Sequence, residues 1–182
     1  MVRIEESVLI RADPGLVFRL VADPLRKARL DPGITVLDVA QEPEGPLGVG
    51  SVFHYRVVVA GRIADYRSRC VAFDPGRLIE TVSDSTPPFR VRVTVETTAG
   101  GARLTQEERF ALPPNRMPLP RPGERLGHLL RRLLGETHAL VQAPQSIAEE
   151  EREMEAMLRP RLARWLAAIK HHLEATQSTL EA

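Results

Sequence analysis

The stretch ADPGLVFRLVADP, Ala12–Pro24, sets an Asp-Pro pair on either side of a short apolar run. Asp13 suits a helix N-cap, because its carboxylate accepts a free backbone N–H of the first turn, and Pro14 then sits where a missing N–H costs nothing. Leu16, Val17, Leu20 and Val21 give that helix a single apolar stripe. Asp23-Pro24 ends it and starts another over LRKAR, since the residue before proline is pushed out of the helical region. LDPG closes the second helix. Helices this short do not persist alone in water, so the pair must pack on something larger.

That larger body reads as a sheet. Upstream, residues 2–11 alternate, with Val2, Ile4, Val8 and Ile10 on one parity. Downstream, strands read at 34–41, 51–60, 62–73, 78–84, 89–97 and 103–112, separated by EPEGPLGVG, Gly61, DPGR, STPP and Gly100-Gly101. Val91, Val93 and Val95 oppose Arg90, Arg92 and Glu96, and Phe53, Tyr55 and Val57 oppose His54 and Arg56. One face of an antiparallel sheet is therefore wet and the other covered.

After Leu112 the proline-rich PPNRMPLPRPG makes an extended connection. Leu126, Leu129, Leu130, Leu133, Leu134 and Leu140 then recur at helical spacing with Arg125, Arg131 and Arg132 among them. From Ser146 a long helix begins, with glutamates early and Arg159, Arg161, Arg164 and Lys170 late, as the helix dipole favours. Its apolar stripe is Leu158, Leu162, Trp165, Leu166, Ile169 and Leu173, and Pro160 should kink it or mark a restart. This helix is the element long enough to cover the sheet.

The chain has 182 residues, 43% of them hydrophobic, which suits one domain over 1–182 with a core of its own. Its 25 basic and 24 acidic residues nearly cancel, so no global field steers it to nucleic acid. A single cysteine, Cys70, leaves no internal disulfide and no Cys-rich zinc site. No run approaches the ~20 apolar residues of a membrane span. The expectation is a cytoplasmic protein without a cofactor.

On ADPGLVFRLVADPLRKARLDPG, GVGSVFHYRV, TTAGGARLTQEERF and LRPRLARWLAAIKHHLEA, the chain resembles the START-like helix-grip superfamily (SRPBCC; polyketide cyclase/dehydrase-like). The resemblance covers about 1–112 and 155–175. It implies an α+β fold: a curved antiparallel sheet of six to seven strands wrapped around a long C-terminal helix, with two short helices after the first strand. The departure is 113–150, a proline-rich segment with an extra amphipathic helix.

The resemblance further implies a cavity between sheet and helix for a lipid, a polyketide-like or another apolar or amphipathic molecule. Its expected lining is Phe53, Tyr55, Tyr66, Cys70, Phe89, Val91, Val93 and Phe110 from the strands, and Leu158, Leu162, Trp165 and Ile169 from the helix. A filled core built from the same side chains is the plainer alternative. Gln106 and Glu108 share parity with Leu104 and Phe110, so regular alternation points them inward. An inward carboxylate must be paired or protonated, which makes Glu108 the candidate acid or polar anchor; a bulge turning it outward is the alternative.

Other constellations carry less. His54, His128, His138, His171 and His172 lack metal-ligand spacing. Arg67, Arg69, Arg90 and Arg92 read as a solvated outer face rather than a nucleic-acid stripe. The Leu/Arg helix has three readings: a lid packed on the domain, a homodimer contact, or a helix lying at a membrane surface with its arginines toward headgroups. Packing or dimerisation is favoured, because Gly127 and Gly135 weaken an isolated helix. Three functions remain: passive binding of an apolar small molecule, a polyketide cyclase/dehydratase-type enzyme using Glu108 or a tyrosine, and an interaction module using the inserted helix.

Overall fold

Both Asp-Pro pairs act as caps. Asp13 Oδ1 accepts from the Leu16 N–H at 3.1 Å and opens α1, Pro14–Ala22; Asp23 Oδ1 accepts from the Arg26 N–H at 2.9 Å and opens α2, Pro24–Arg29. Asp31 repeats the device, its Oδ1 taking the Gly33 N–H at 2.8 Å, and the chain then enters a strand. The computed structural model describes residues 1–85, 87–112 and 147–180.

Seven strands form one antiparallel sheet: β1 Val2–Ile10, β2 Ile34–Glu42, β3 Val52–Val59, β4 Arg62–Asp74, β5 Leu78–Ser83, β6 Phe89–Thr98 and β7 Gly101–Phe110. Their spatial order is β1-β7-β6-β5-β4-β3-β2. From β2 to β7 the chain is a simple meander. β1 lies at the opposite edge from β2, so α1 and α2 carry the chain from one edge of the sheet to the other. This is the structural use of the doubled Asp-Pro. Register shifts at Val36/Asp38 and Cys70/Ala72 mark bulges, which add twist and curvature.

The long helix, α3, is Ile147–Leu180. It runs through Pro160 without the expected restart: Pro160 lies on the exposed face, where the carbonyl its ring frees can turn to water. The Leu/Arg helix lies outside the described residues, whereas the long helix expected from Ser146 is present from Ile147. Met154, Leu158, Leu162, Leu166, Ile169 and Leu173 are buried at intervals of three and four, as one helical face requires.

That face packs on β1 and the interior of β6 and β7, in a core with Val2, Ile4, Val17, Val93, Val95 and Leu104. A smaller apolar group, Val57, Val59 and Ala64, sits at the β3–β4 side. The two groups are the two ends of the interior.

Helix side chains also cap the exposed edge of β1. Glu155 accepts from the Arg3 N–H at 3.0 Å, Glu174 from the Arg11 N–H at 2.8 Å, and Lys170 donates to the Leu9 carbonyl at 2.6 Å. An edge strand that would otherwise offer unpaired backbone groups is thereby occupied. On the outer face the charges are paired: Glu80 with Arg90 and Arg92, Glu107 with Arg3 and Arg109. Among the described residues no helix is long and apolar enough to cross a membrane.

The β6–β7 hairpin turns at Gly101, whose φ is +135°, with an added Cβ only 2.2 Å from the Ile10 carbonyl oxygen. Gly101→Ala should therefore destabilise the fold by more than ~1 kcal/mol, through both backbone strain and collision with β1. Urea unfolding checks this; an unchanged midpoint would contradict the close approach.

Candidate functional site

β7 pairs without interruption on both sides, Ile4 and Val91 flanking Glu108, and Glu6 and Val93 flanking Gln106. The alternation is therefore intact, and no bulge turns Glu108 outward. Gln106 is 1% exposed, and its Nε2 donates to Glu108 Oε1 at 2.7 Å. Burial pushes the Glu108 carboxyl above the ordinary glutamate value of 4.5, against the weaker opposing pull of the Gln106 hydrogen bond, Lys27 and Arg161.

These two side chains face a cavity of about 240 Å³ between the concave sheet, α2 and α3. Its wall is mainly apolar, as small-molecule pockets generally are. On β3 and β4, Tyr55 and Tyr66 are direct cross-strand partners, and their rings stack at 5.1 Å and 17°. Phe89 meets Tyr66 edge-on at 5.2 Å, and Phe53 meets Tyr55 at 6.3 Å, giving one continuous aromatic surface. Burial drives both phenols above their ordinary value of 10, so they remain neutral donors.

The opposite wall comes from α2 and α3. Trp165 Nε1 donates to the Lys27 carbonyl at 3.1 Å, and the Lys27 ammonium stands 4.9 Å from the centre of the same indole. Desolvation lowers Lys27 from 10.5 to about 8. Arg161 Nη2 lies 3.5 Å from Asp31 Oδ2, and Asp31 is 6% exposed. Lys27, Asp31 and Arg161 all line the cavity.

Of the residues expected on the wall, Phe53, Tyr55, Tyr66, Phe89, Val91, Val93, Gln106, Glu108, Phe110, Leu158, Leu162 and Trp165 are there. Cys70 and Ile169 are not. Both are packed in the main core, Cys70 at the β4 bulge, where its Sγ lies 3.5 Å from the Ala72 carbonyl, and Ile169 one helical turn beyond Trp165. Sequence reasoning missed Lys27, Asp31 and Arg161. The signal for Arg161 was available: Leu158, Arg161, Leu162 and Trp165 fall at i, i+3, i+4 and i+7 and so share a helix face. Lys27 and Asp31 carried no comparable signal, because their placement depends on how α2 docks. Among the described residues no group of His, Cys, Asp and Glu could hold a metal ion.

The family described as polyketide cyclase / dehydrase and lipid transport matches residues 1–141. Among solved structures, the chain is similar to the di-domain ARO/CYC StfQ from the steffimycin biosynthetic pathway (TM-score 0.68, 14% identity, 97% of this chain and 52% of that one covered). It therefore spans about half the length of that protein. It is also similar to the Zhui aromatase/cyclase from Streptomyces sp. R1128 (TM-score 0.56, 23% identity, 94% and 93% covered). A third is the Polyketide_cyc-like protein Cgl2372 from Corynebacterium glutamicum (TM-score 0.58, 19% identity, 96% and 93% covered). At these identities the likeness establishes the helix-grip fold. No curated protein matches the chain.

The lowered Lys27 value fixes a sign. Between about 8 and 10.5 the unfolded chain binds this proton and the folded chain does not, so stability should rise with pH across that window on this group's account. Urea unfolding of wild type and Lys27→Met at pH 7.5 and 10 checks it. The gap between the two proteins should move in favour of wild type as pH rises; a constant gap would contradict a desolvated ammonium.

Proposed function

We propose, for a chain that belongs to the polyketide cyclase / dehydrase and lipid transport family, that the cavity binds an amphipathic, mainly apolar small molecule. The carrying observation is the cavity itself: about 240 Å³ held open among large side chains, with polar groups converging at one part of an apolar wall. A filled core would have closed over this volume, since protein interiors tolerate few voids larger than a water molecule. The aromatic surface of Phe53, Tyr55, Tyr66 and Phe89 supplies contact area for a flat or branched apolar body. Gln106, Glu108 and Lys27 supply the groups that orient its polar end.

The volume lies a little below the ~300–1,000 Å³ of common ligand pockets, which favours a compact ligand. N-phenyl-1-naphthylamine, a neutral probe that brightens on entering apolar sites, tests the reading. Wild type should bind it saturably. Val91→Trp, which places an indole in the cavity from β6, should abolish binding, whereas Ile63→Trp at a 45% exposed position should leave it intact. Equal binding by a folded Val91→Trp would move the apolar site elsewhere.

A further inference from the structure

Lys27, Asp31, Glu108 and Arg161 all line the cavity, and their partners are unequal. Arg161 and Asp31 have each other, and the remaining Asp31 oxygen is taken by the Gly33 N–H. Glu108 is held toward its neutral form by burial. Lys27 has no carboxylate within ion-pair distance among the described residues; its ammonium stands over the Trp165 ring, and Glu108 and Asp31 act on it only from beyond that distance. The cavity wall therefore holds an ammonium that no carboxylate of the described residues contacts.

A second observation concerns Gln106. Gln106 is 1% exposed, and its Oε1 has no hydrogen-bond partner. Leaving a buried amide atom unpaired is costly, so an occupant of the cavity that pairs with it is favoured. The amide orientation follows the protonation of its neighbour. With Glu108 neutral, its O–H can give to the amide oxygen across the same 2.7 Å contact, and the amide N–H₂ then becomes the free end. A free amide donor and an unpaired ammonium in one cavity call for an acceptor that carries negative charge.

Building on the cavity reading, we propose that the site selects apolar molecules ending in an anionic oxygen group such as a carboxylate, held by Lys27 and the Gln106 amide. A ligand ending in an amine would place a second cation beside Lys27. A ligand with no polar end would leave both Lys27 and Gln106 unpaired. Desolvation lowers the Lys27 value, and Glu108 from β7 and Asp31 after α2 oppose it; Arg161 from α3 and Tyr55 and Tyr66 from the sheet line the same cavity.

Decanoate, decanamide and decylamine, matched in chain length, are compared by displacement of N-phenyl-1-naphthylamine at pH 6.5. Decanoate should bind about tenfold tighter than either. Lys27→Met should bring the ratio within about twofold and Lys27→Arg should keep most of it; Glu108→Gln, which alters a group of the binding wall and so shifts the absolute affinities, serves only for the pH dependence of the ratio. In Glu108→Gln the preference should fall between pH 6.5 and 9.5 as Lys27 loses its proton, which isolates Lys27 from any titration of Glu108.

Decanamide or decylamine binding as tightly as decanoate would overturn the proposal, as would a preference that survives Lys27→Met. The wild-type ratio and the Glu108→Gln pH profile decide the matter even where Lys27→Met fails to fold. Probe binding that none of the three compounds displaces overturns the ligand class and leaves the cavity reading standing. Absence of probe binding by wild type removes both.

Discussion

The uninterrupted pairing of β7 between β1 and β6 is the constraint on which the site depends. A strand held on both sides cannot rotate a side chain to the other face without breaking two ladders. Leu104, Gln106, Glu108 and Phe110 are thus committed to the interior together, and the apolar members secure the polar ones there. Gln106 and Glu108 are inward because the register that buries Leu104 and Phe110 leaves them no alternative.

An inward amide and acid require space, and the rest of the fold supplies it. α1 and α2 carry the chain across the sheet, and their caps set where α2 stands. Trp165 then clips α2 to α3 through the Lys27 carbonyl. α3 is fastened along β1 by Glu155, Lys170 and Glu174. The helix therefore packs closely at the β1 side, and the apolar interior divides into a large group there and a small one at β3–β4. The cavity has the stacked rings together with Gln106 and Glu108 on its sheet side, and Trp165 with Lys27, Asp31 and Arg161 on its helix side.

Much of this was legible in the sequence, for reasons tied to particular residues. The Asp-Pro caps are local: the carboxylate and the ring act within one helical turn, so Asp13 and Asp23 could be read without any tertiary contact. Strand alternation is local too, and it placed Phe53, Tyr55, Val91, Val93, Gln106 and Glu108 on one face. Whether a bulge disturbed β7 was a question of pairing with two other strands. Lys27 was hidden for the same kind of reason, since six residues of helix do not reveal which side meets α3. Cys70 and Ile169 have the right parity and periodicity for the cavity wall but lie in the packed core, because position along an element is set by the shape of the whole interior. The inserted Leu/Arg helix and its suggested contacts lie outside the described residues.

The central claim is that β7 delivers an acid into a mainly apolar cavity, and the most direct measurement is a carbon-detected NMR titration of the Glu108 carboxyl. The account predicts a midpoint clearly above the ordinary 4.5, because burial outweighs the Gln106 hydrogen bond and the cations Lys27 and Arg161. A midpoint at or below 4.5 would show a solvated or ion-paired carboxylate and would contradict the inward placement on which the site is built.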